Sequence, residues 1–338
     1  MIKIYRHTEG LDLERGGRLE NLDIAYSTFG SLNDRGDNVV WVCHALTANS
    51  DVADWWPNTV VSGGFLDPEE WFVVCANVIG SHYGSTGPLS TNPATGEPYY
   101  SEFPQLTIRD IVHAHKILSR HLGIDSIHAL VGSSLGGFQA MEWAIMEPNR
   151  LKKLVLIATD SHVTPWAAAF NETQRMAIKA DNTFGGRNDD AGRIGLAAAR
   201  AMALLSYRGP SGYNISQSNR EDTPEYCHRV QTYQTYQGEK LCRRFNAYSY
   251  MSILDAFDSH DISRGRGKEE DVMGSIKAKT ACIAIPTDIL FPPETMKRLA
   301  KEIPGAEYHE IESEFGHDGF LVEHAQLNKI LKEFLHKK

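Results

Sequence analysis

Short, almost wholly apolar runs recur along the chain. They read NVVWVCHAL from Asn38, WFVVCANV from Trp71, IHALVGS from Ile127, KKLVLIAT from Lys152 and ACIAIPTD from Ala281. Apolar runs of this length that are rich in β-branched residues are typical of strands buried on both faces. Such strands belong to a parallel sheet that helices cover on either side. The pattern therefore predicts an α/β fold.

Two segments between these strands have the spacing of amphipathic helices. Residues 107–123 place one apolar stripe at Ile108, Ile111, Val112, His115 and Leu118. Thr107 and Asp110 resemble an N-terminal capping pair, and Gly123 a C-terminal stop. Residues 135–148 place their stripe at Phe138, Met141, Ile145 and Met146, before Pro148. Both segments are predicted to be helices.

Two other stretches depart from this alternation of buried strands and helices. Residues 18–30, RLENLDIAYSTFG, alternate apolar and polar positions and predict an antiparallel edge strand. Residues 161–268 are polar and helix-like. An insertion of this size predicts a helical cap over the carboxyl edge of the sheet, where open α/β sheets bind ligands. The predicted division is a core of residues 1–160 and 269–338 with a cap of residues 161–268.

Composition narrows the class of protein. The 338 residues are 42% hydrophobic, which allows a sizeable core, and the net charge is −9 with the charges scattered. This charge balance argues against a nucleic-acid-binding surface. Five widely separated cysteines lie mostly within apolar runs: Cys43, Cys75, Cys227, Cys242 and Cys282. They predict reduced core residues in a cytoplasmic protein.

Membrane, metal and phosphate-loop signals are weak. No apolar run approaches the roughly 18 residues of a membrane span, and the first ten residues lack the apolar centre of a signal peptide. No Cys-x-x-Cys or His-Glu-x-x-His pattern occurs, so no metal site is expected. Gly267-Lys268 resembles the end of a phosphate loop, but Ile262 and Glu269 occupy two of its required positions.

The predicted strand at residues 127–133 runs directly into a helix through the sequence VGSSLGG. Gly132, Ser134 and Gly136 form the pattern Gly-x-Ser-x-Gly at this junction. In a nucleophile elbow of this kind, the serine sits on a sharp turn and the glycines let neighbouring backbone approach without a Cβ clash. Ser134 is thus a candidate nucleophile. The alternative is a serine that merely caps the following helix.

A serine nucleophile needs a histidine base and a carboxylate that orients it. In this architecture the acid follows the serine along the chain, and the histidine follows the acid. Asp288 ends an apolar strand in IPTDILFPP, and His317 follows in ESEFGHDGFL. Taken alone, Asp288 is a helix cap and His317 a turn histidine; together with Ser134 they predict a catalytic triad.

An oxyanion hole requires two backbone N–H groups near the nucleophile. The residue after the nucleophile, Leu135, supplies the first. The second comes from the loop that follows the strand at Asn38, and HALTANSD at residues 44–51 occupies that loop. We predict Leu46 as this second donor.

Further segments match one known family in order along nearly the whole chain. They are LERGGRLENLDIAYSTFGSLN, HALT, YGSTGP, NPATGEPY, FPQLTIRD, AFNETQRMAI, YQGEKLCRRF, SHDISRGRG, DILFPP and GHDGFL. In these segments the chain resembles the homoserine O-acetyltransferases of the α/β-hydrolase superfamily. The resemblance implies the same triad and adds three substrate residues. Arg200 matches an arginine for the amino-acid carboxylate, Tyr207 a substrate-contacting tyrosine, and Asp318 the carboxylate that holds the ammonium.

The resemblance also implies a reaction. Acetyl-CoA, a co-substrate rather than a tightly bound cofactor, donates its acetyl group to the serine, and L-homoserine accepts it in methionine biosynthesis. Homodimers are the habit of the family. Alternatives on the same scaffold are succinyl-CoA as donor, serine as acceptor, a plain serine esterase, or a catalytically inactive binding protein. The intact triad argues against the last, and Arg200 with Asp318 favours a zwitterionic acceptor over hydrolysis.

The chain departs from the family pattern at four places. GSSLGG stands where GGSMGG is expected, HALTANS where HALTGSA is common, and TDILFPP where SDWLFPP is common. Asn246 replaces the usual aspartate of RFDANSY. None of these changes removes a triad member. We expect them to touch the wall of the pocket and to bear on the acyl group.

Overall fold

The computed structural model describes residues 2–221, 223–224 and 228–337; Cys227 lies outside the described residues. Its strands are β1 (Lys3–His7), β2 (Leu11–Asp12), β3 (Arg18–Leu19), β4 (Leu22–Phe29), β5 (Val39–Cys43), β6 (Phe72–Ala76), β7 (Ile127–Ser133), β8 (Leu151–Ile157), β9 (Lys279–Ala284) and β10 (Glu307–Glu310). All except β2 and β3 form one sheet of eight strands in the order β1-β4-β6-β5-β7-β8-β9-β10. From β6 to β10 in this order the pairing is parallel.

The five apolar runs are the strands β5 to β9, as predicted. Nearly every residue in them is buried, because helices cover both faces of the sheet. The helices are α1 (Val52–Trp55), α2 (Ile108–His121), α3 (Leu135–Met146), α4 (Pro165–Lys179), α5 (Arg193–Tyr207), α6 (Pro210–Ser216), α7 (Arg229–Cys242), α8 (Ala247–Asp258), α9 (Glu269–Gly274), α10 (Pro293–Glu302), α11 (Gly319–Val322) and α12 (His324–His336). Short 3₁₀ turns occupy Tyr100–Glu102 and Gly316–Asp318.

The two predicted helices correspond to α2 and α3. Thr107 and Asp110 form a reciprocal capping box at the start of α2, which satisfies two backbone donors that a helix end leaves open. Gly123 has a left-handed φ of 66° just after the end of α2. All five residues of the predicted α2 stripe are buried.

The prediction of an antiparallel edge strand at residues 18–30 is wrong in its position. Strand β4 is antiparallel to its neighbours, but it lies between β1 and β6, and β1 is the edge. The misleading polar position is Ser27, which is buried with its hydroxyl 3.2 Å from that of Ser50. A buried hydroxyl with a hydrogen-bond partner imitates the polar position of an exposed strand.

The helices α4 to α9 all lie between β8 and β9, and α5 packs against α4 and α7. The chain leaves and re-enters the core along two adjacent segments. Backbone hydrogen bonds join Val163 to His260 at 3.1 Å and Ile262 to Ser161 at 3.0 Å. These bonds join the two ends of the helical insertion to each other.

Two arginines of the segment Ser-Arg-Gly-Arg-Gly-Lys, at the end of the insertion, form ion pairs with carboxylates of the core. Arg264 pairs with Glu14 at 2.8 Å, and Arg266 pairs with the buried Glu142 of α3 at 2.7 Å. Arg109 of α2 also contacts both carboxylates. Arg264 and Arg266 therefore join the insertion to the core.

The described residues contain no helix long and apolar enough to cross a membrane. Over the same ranges, no cluster of three or more His, Cys, Asp or Glu side chains has the arrangement of a metal site. The four described cysteines are buried and form no disulfide: Cys43, Cys75, Cys242 and Cys282.

Candidate active site

Ser134 lies at the turn between β7 and α3. Its backbone has φ 54° and ψ −126°, a combination that L-residues rarely adopt and that costs about 1–3 kcal/mol. Its side chain forms no capping hydrogen bond to α3. Ser134 occupies the N-cap position of α3, but the interpretation of its side chain as a helix cap is wrong. Two hydrogen bonds hold the strained turn: Ser134 N–H donates to Ile157 O at 3.0 Å, and Thr159 Oγ1 donates to Ser134 O at 2.9 Å.

The flanking glycines are required by close backbone approach, as the elbow pattern predicted. A Cβ on Gly132 would overlap the carbonyl oxygen of Gly136. A Cβ on Gly136 would overlap the carbonyl oxygen of Cys43, at the end of β5. The turn thus packs directly against the loop that follows β5.

Asp288 and His317 form a buried pair at the carboxyl ends of β9 and β10. His317 Nδ1 lies 2.7 Å from Asp288 Oδ2. The other oxygen of Asp288 accepts the N–H groups of Leu290 at 2.8 Å and Phe291 at 3.0 Å. These three contacts fix the orientation of the carboxylate. Because Nδ1 faces the carboxylate, the imidazole keeps Nε2 for a second partner.

One cavity of about 610 Å³ brings most of the predicted site residues together. Its wall includes Leu46, Ser134, Arg200, Tyr207, His317 and Asp318. Asp288 lies behind His317 and does not line it. Leu135 is wholly buried directly after Ser134, at the first position of α3. The cavity combines a buried serine and histidine with charged groups of both signs.

Arg200 of α5 lines this cavity, and no carboxylate of the described residues lies at ion-pair distance from it. Its guanidinium lies 5.6 Å from the centre of the Tyr207 ring, a distance typical of a cation–π contact. Burial raises the pKa of Tyr207, so this phenol stays protonated at neutral pH. Tyr250 stands behind it and donates to Gln174 Oε1 at 2.6 Å. The pairing capacity of Arg200 is left for a ligand.

Asp318 has a partner that no sequence pattern predicted. Arg208, just past the end of α5, donates from Nε to Asp318 Oδ2 at 3.1 Å, and its guanidinium lies 5.6 Å from the Tyr233 ring centre. Burial raises the pKa of Asp318, while Arg200, Arg208 and His317 act in the opposite direction. The two residues are 110 positions apart, and no sequence spacing signals their pairing.

Gln139 is a second residue that sequence reasoning missed. Its Nε2 donates to His44 O and to Leu135 O, both at 3.2 Å, and its Oε1 lies 2.9 Å from His115 Nε2. It therefore joins the loop that carries Leu46 to the first turn of α3. Burial lowers the pKa of His44 to about 4, so His44 is a neutral packing residue.

The departures from the family pattern fall only partly on the cavity wall. Of the changed positions, Ala48 and Asn49 of HALTANS line the cavity. Ser133 and Leu135 of GSSLGG, and Thr287 and Ile289 of TDILFPP, do not. Asn246 does not; it caps α8 by accepting the Ser249 N–H at 2.8 Å, a task that asparagine performs as well as aspartate. The expectation that these departures touch the wall of the pocket is confirmed only for HALTANS and is wrong for GSSLGG, TDILFPP and Asn246.

This fold and site define a class of protein: the chain has the α/β hydrolase fold, and the family model of that description matches residues 38–324. A homoserine O-acetyltransferase of Cyclobacterium marinum is 44% identical over 98% of this chain and 94% of its own length. The homoserine O-acetyltransferase structure from Staphylococcus aureus is 30% identical, with a TM-score of 0.82 over 100% of this chain and 96% of that one. The one from Bacillus anthracis reaches a TM-score of 0.93 at 23% identity, over 100% and 98% of the two chains, and supports the fold. The chain belongs to the homoserine O-acetyltransferase family.

Proposed function

We propose that the protein transfers an acetyl group from acetyl-CoA to the hydroxyl of L-homoserine through an acetylated Ser134, as a step of methionine biosynthesis. One observation carries the proposal. The cavity that holds Ser134 and the paired His317 also contains an arginine without a carboxylate partner, Arg200, and a buried carboxylate, Asp318. A plain esterase has no need of two opposite charges beside its nucleophile.

In the first half-reaction, His317 Nε2 takes the proton of the Ser134 hydroxyl as its oxygen attacks the thioester carbonyl. Asp288 stabilises the imidazolium that forms. The N–H groups of Leu135 and Leu46 donate to the developing oxyanion, and neither amide donates to another described residue. The C–S bond then breaks, His317 returns its proton to the thiolate, and CoA leaves. An acetyl ester of Ser134 remains.

In the second half-reaction, the acceptor is an amino acid with a side-chain hydroxyl. Arg200 pairs with its α-carboxylate through the planar fork of the guanidinium. Asp318 pairs with its ammonium, and Tyr207 contacts the bound acceptor. His317 removes the proton of the acceptor hydroxyl, whose oxygen attacks the carbonyl of the acetyl ester. The bond between that carbonyl carbon and Ser134 Oγ then breaks, and His317 returns the proton to Ser134 Oγ.

Transfer to homoserine must outpace hydrolysis of the acetyl ester. A well-aligned bound hydroxyl can have an effective molarity of about 10⁵ M or more, far above the concentration of bulk water. We propose that residues 161–268 act as a cap that limits access of water. The insertion supplies a large part of the cavity wall: Phe170, Asn171, Gln174, Arg200, Ser206, Tyr207, Lys240, Arg244 and Phe257.

The proposed function is tested by initial rates of CoA release that cross two donors with three acceptor conditions. The donors are acetyl-CoA and succinyl-CoA; the conditions are homoserine, serine and no acceptor. We expect the fastest release with acetyl-CoA and homoserine. A release rate that does not depend on the acceptor would indicate an esterase, and a preference for succinyl-CoA or for serine would change the assigned donor or acceptor.

We further propose a homodimer. Large apolar side chains on the outer face of α5 are exposed: Ile194, Met202 and Leu205. Ile194 keeps 78% of its surface accessible, and several exposed apolar side chains on one helix face are typical of a protein–protein interface. Light scattering of the purified protein measures the mass directly, and a monomer would contradict the proposal.

A further inference from the structure

The outer end of the cavity differs in chemistry from its inner end. Ser134 and His317 are buried, whereas three charged residues of the wall are exposed: Asp54, Lys240 and Arg244. Trp55 and Tyr83 complete this outer end. A ligand that reaches Ser134 from solvent must pass these groups.

Arg244 is held at this opening by neutral acceptors. Its Nη1 donates to Thr47 O at 2.7 Å and to the hydroxyl of Tyr83. These bonds fix the position of the guanidinium but leave its charge uncompensated. Two other arginines of the insertion do have carboxylate partners: Arg175 pairs with Asp255 and Asp258, and Arg208 with Asp318.

Lys240 stands one helical turn before Arg244, near the end of α7. Within the described ranges, neither cation lies at ion-pair distance from a carboxylate, including Asp54 on the same opening. The chain as a whole has a net charge of −9, so the overall electrostatic field of the protein does not attract a polyanion. Two uncompensated cations at the opening create a local site for an anionic group.

We propose that Lys240 and Arg244 bind the diphosphate of the acyl-CoA donor. The inference rests on the proposed function, because it assumes that the donor's thioester reaches Ser134. The flexible pantetheine arm then occupies the cavity and leaves the diphosphate at the opening. Arginine and lysine are the usual partners of phosphate oxygens, which accept charge-assisted hydrogen bonds. Arg200, deeper in the cavity, is reserved for the acceptor's carboxylate.

The test compares thioester donors that differ in their phosphates. Acetyl-CoA carries the diphosphate and a 3′-phosphate, acetyl-dephospho-CoA carries only the diphosphate, and S-acetyl-pantetheine carries neither. For Lys240→Gln we expect KM to rise roughly fivefold or more with the first two donors. The loss with S-acetyl-pantetheine should be several times smaller. Lys329→Gln, which removes the same charge from an exposed position of α12 outside the cavity, should match the wild type with every donor.

Arg244→Lys supplies a second variant, because it keeps a cation while losing one hydrogen bond to Thr47 or Tyr83. It should retain more affinity for acetyl-CoA than Arg244→Gln. Salt adds an independent readout: KM for acetyl-CoA should rise with ionic strength in the wild type, and less steeply in Lys240→Gln.

Three results would overturn the assignment. Equal losses with all three donors would make Lys240 a structural residue. A loss confined to acetyl-CoA would assign the contact to the 3′-phosphate. Equal kcat/KM for acetyl-CoA and S-acetyl-pantetheine in the wild type would remove the diphosphate site and leave the proposed reaction intact. Absence of acetyl transfer from every donor would instead refute the proposed function, and the donor site with it.

Discussion

Arg208 donates a hydrogen bond from Nε to Oδ2 of Asp318 at 3.1 Å, so the carboxylate assigned to the substrate ammonium has a cationic partner before substrate binds. Burial favours the protonated form of Asp318, and the neighbouring cations favour the charged form. Arg208 does not line the cavity. We therefore interpret it as a positioning residue that keeps Asp318 ionised and directs one of its oxygens to the acceptor.

Replacement of Arg208 should change the pH dependence of the second half-reaction. In Arg208→Gln, loss of the cation raises the pKa of Asp318, and binding of the acceptor ammonium requires the deprotonated form. The acidic limb of kcat/KM for homoserine should therefore move to higher pH. The measurement is the pH profile of homoserine-dependent turnover, with Arg208→Lys as the control that keeps the charge. Profiles that coincide with the wild type would make Arg208 purely structural.

Asp318 itself neighbours His317, so its two possible roles must be separated. If it binds the substrate ammonium, Asp318→Asn should raise KM and lower kcat/KM for homoserine by about tenfold or more, while acetylation of Ser134 stays close to the wild-type rate. If it acts on His317, both half-reactions should slow together, because the same imidazole serves each. The rate of single-turnover acylation of Asp318→Asn by acetyl-CoA distinguishes the two roles. A large decrease in that rate would refute the substrate role.

Arg200 is assigned to the acceptor's carboxylate. Arg200→Lys keeps the charge but loses the bidentate geometry, so kcat/KM for homoserine should fall by roughly tenfold. Acylation by acetyl-CoA should change little. Stopped-flow or quenched-flow measurement of each half-reaction separates the two effects. An equal loss in acylation would assign Arg200 to the donor site or to the structure.

The elbow glycines make a prediction about stability. Gly136→Ala introduces a Cβ that overlaps the carbonyl oxygen of Cys43, so the backbone of the elbow or of the loop after β5 must shift. We expect a loss of about 2–4 kcal/mol in unfolding free energy, together with loss of activity. Gly274→Ala is the matched control, since its added Cβ meets no atom within 4 Å. Urea denaturation of both variants gives the comparison.

The sequence predicted those parts of the molecule that depend on local pattern. Continuous apolar runs gave the five parallel strands, and the turn glycines with their context gave Ser134. Asp288 followed from chain order, and its 2.7 Å contact with His317 fits that order. Arg200, Tyr207 and Asp318 came only from resemblance to a family, because charged and aromatic residues on a helix carry no signal of what they face.

The remaining features depend on contacts between distant segments. Strand β4 lies inside the sheet because β1 pairs along its outer side. The five residues of β1 are largely exposed, so no hydrophobic pattern predicted that strand. Gln139 occupies an ordinary polar position of α3, yet it contacts the carbonyl of His44, 95 residues earlier. The pairing of Arg208 with Asp318 is of the same kind. Such contacts follow from the folded topology alone.

The central claim is that Ser134 carries the acetyl group between donor and acceptor. Its most direct test is peptide-mapping mass spectrometry of the wild-type protein mixed with acetyl-CoA, before and after addition of homoserine. We predict one acetyl group on the peptide that contains Ser134, its disappearance on addition of homoserine with formation of O-acetylhomoserine, and no adduct in Ser134→Ala. An acetyl group on another residue, or an adduct that homoserine does not discharge, would contradict the account.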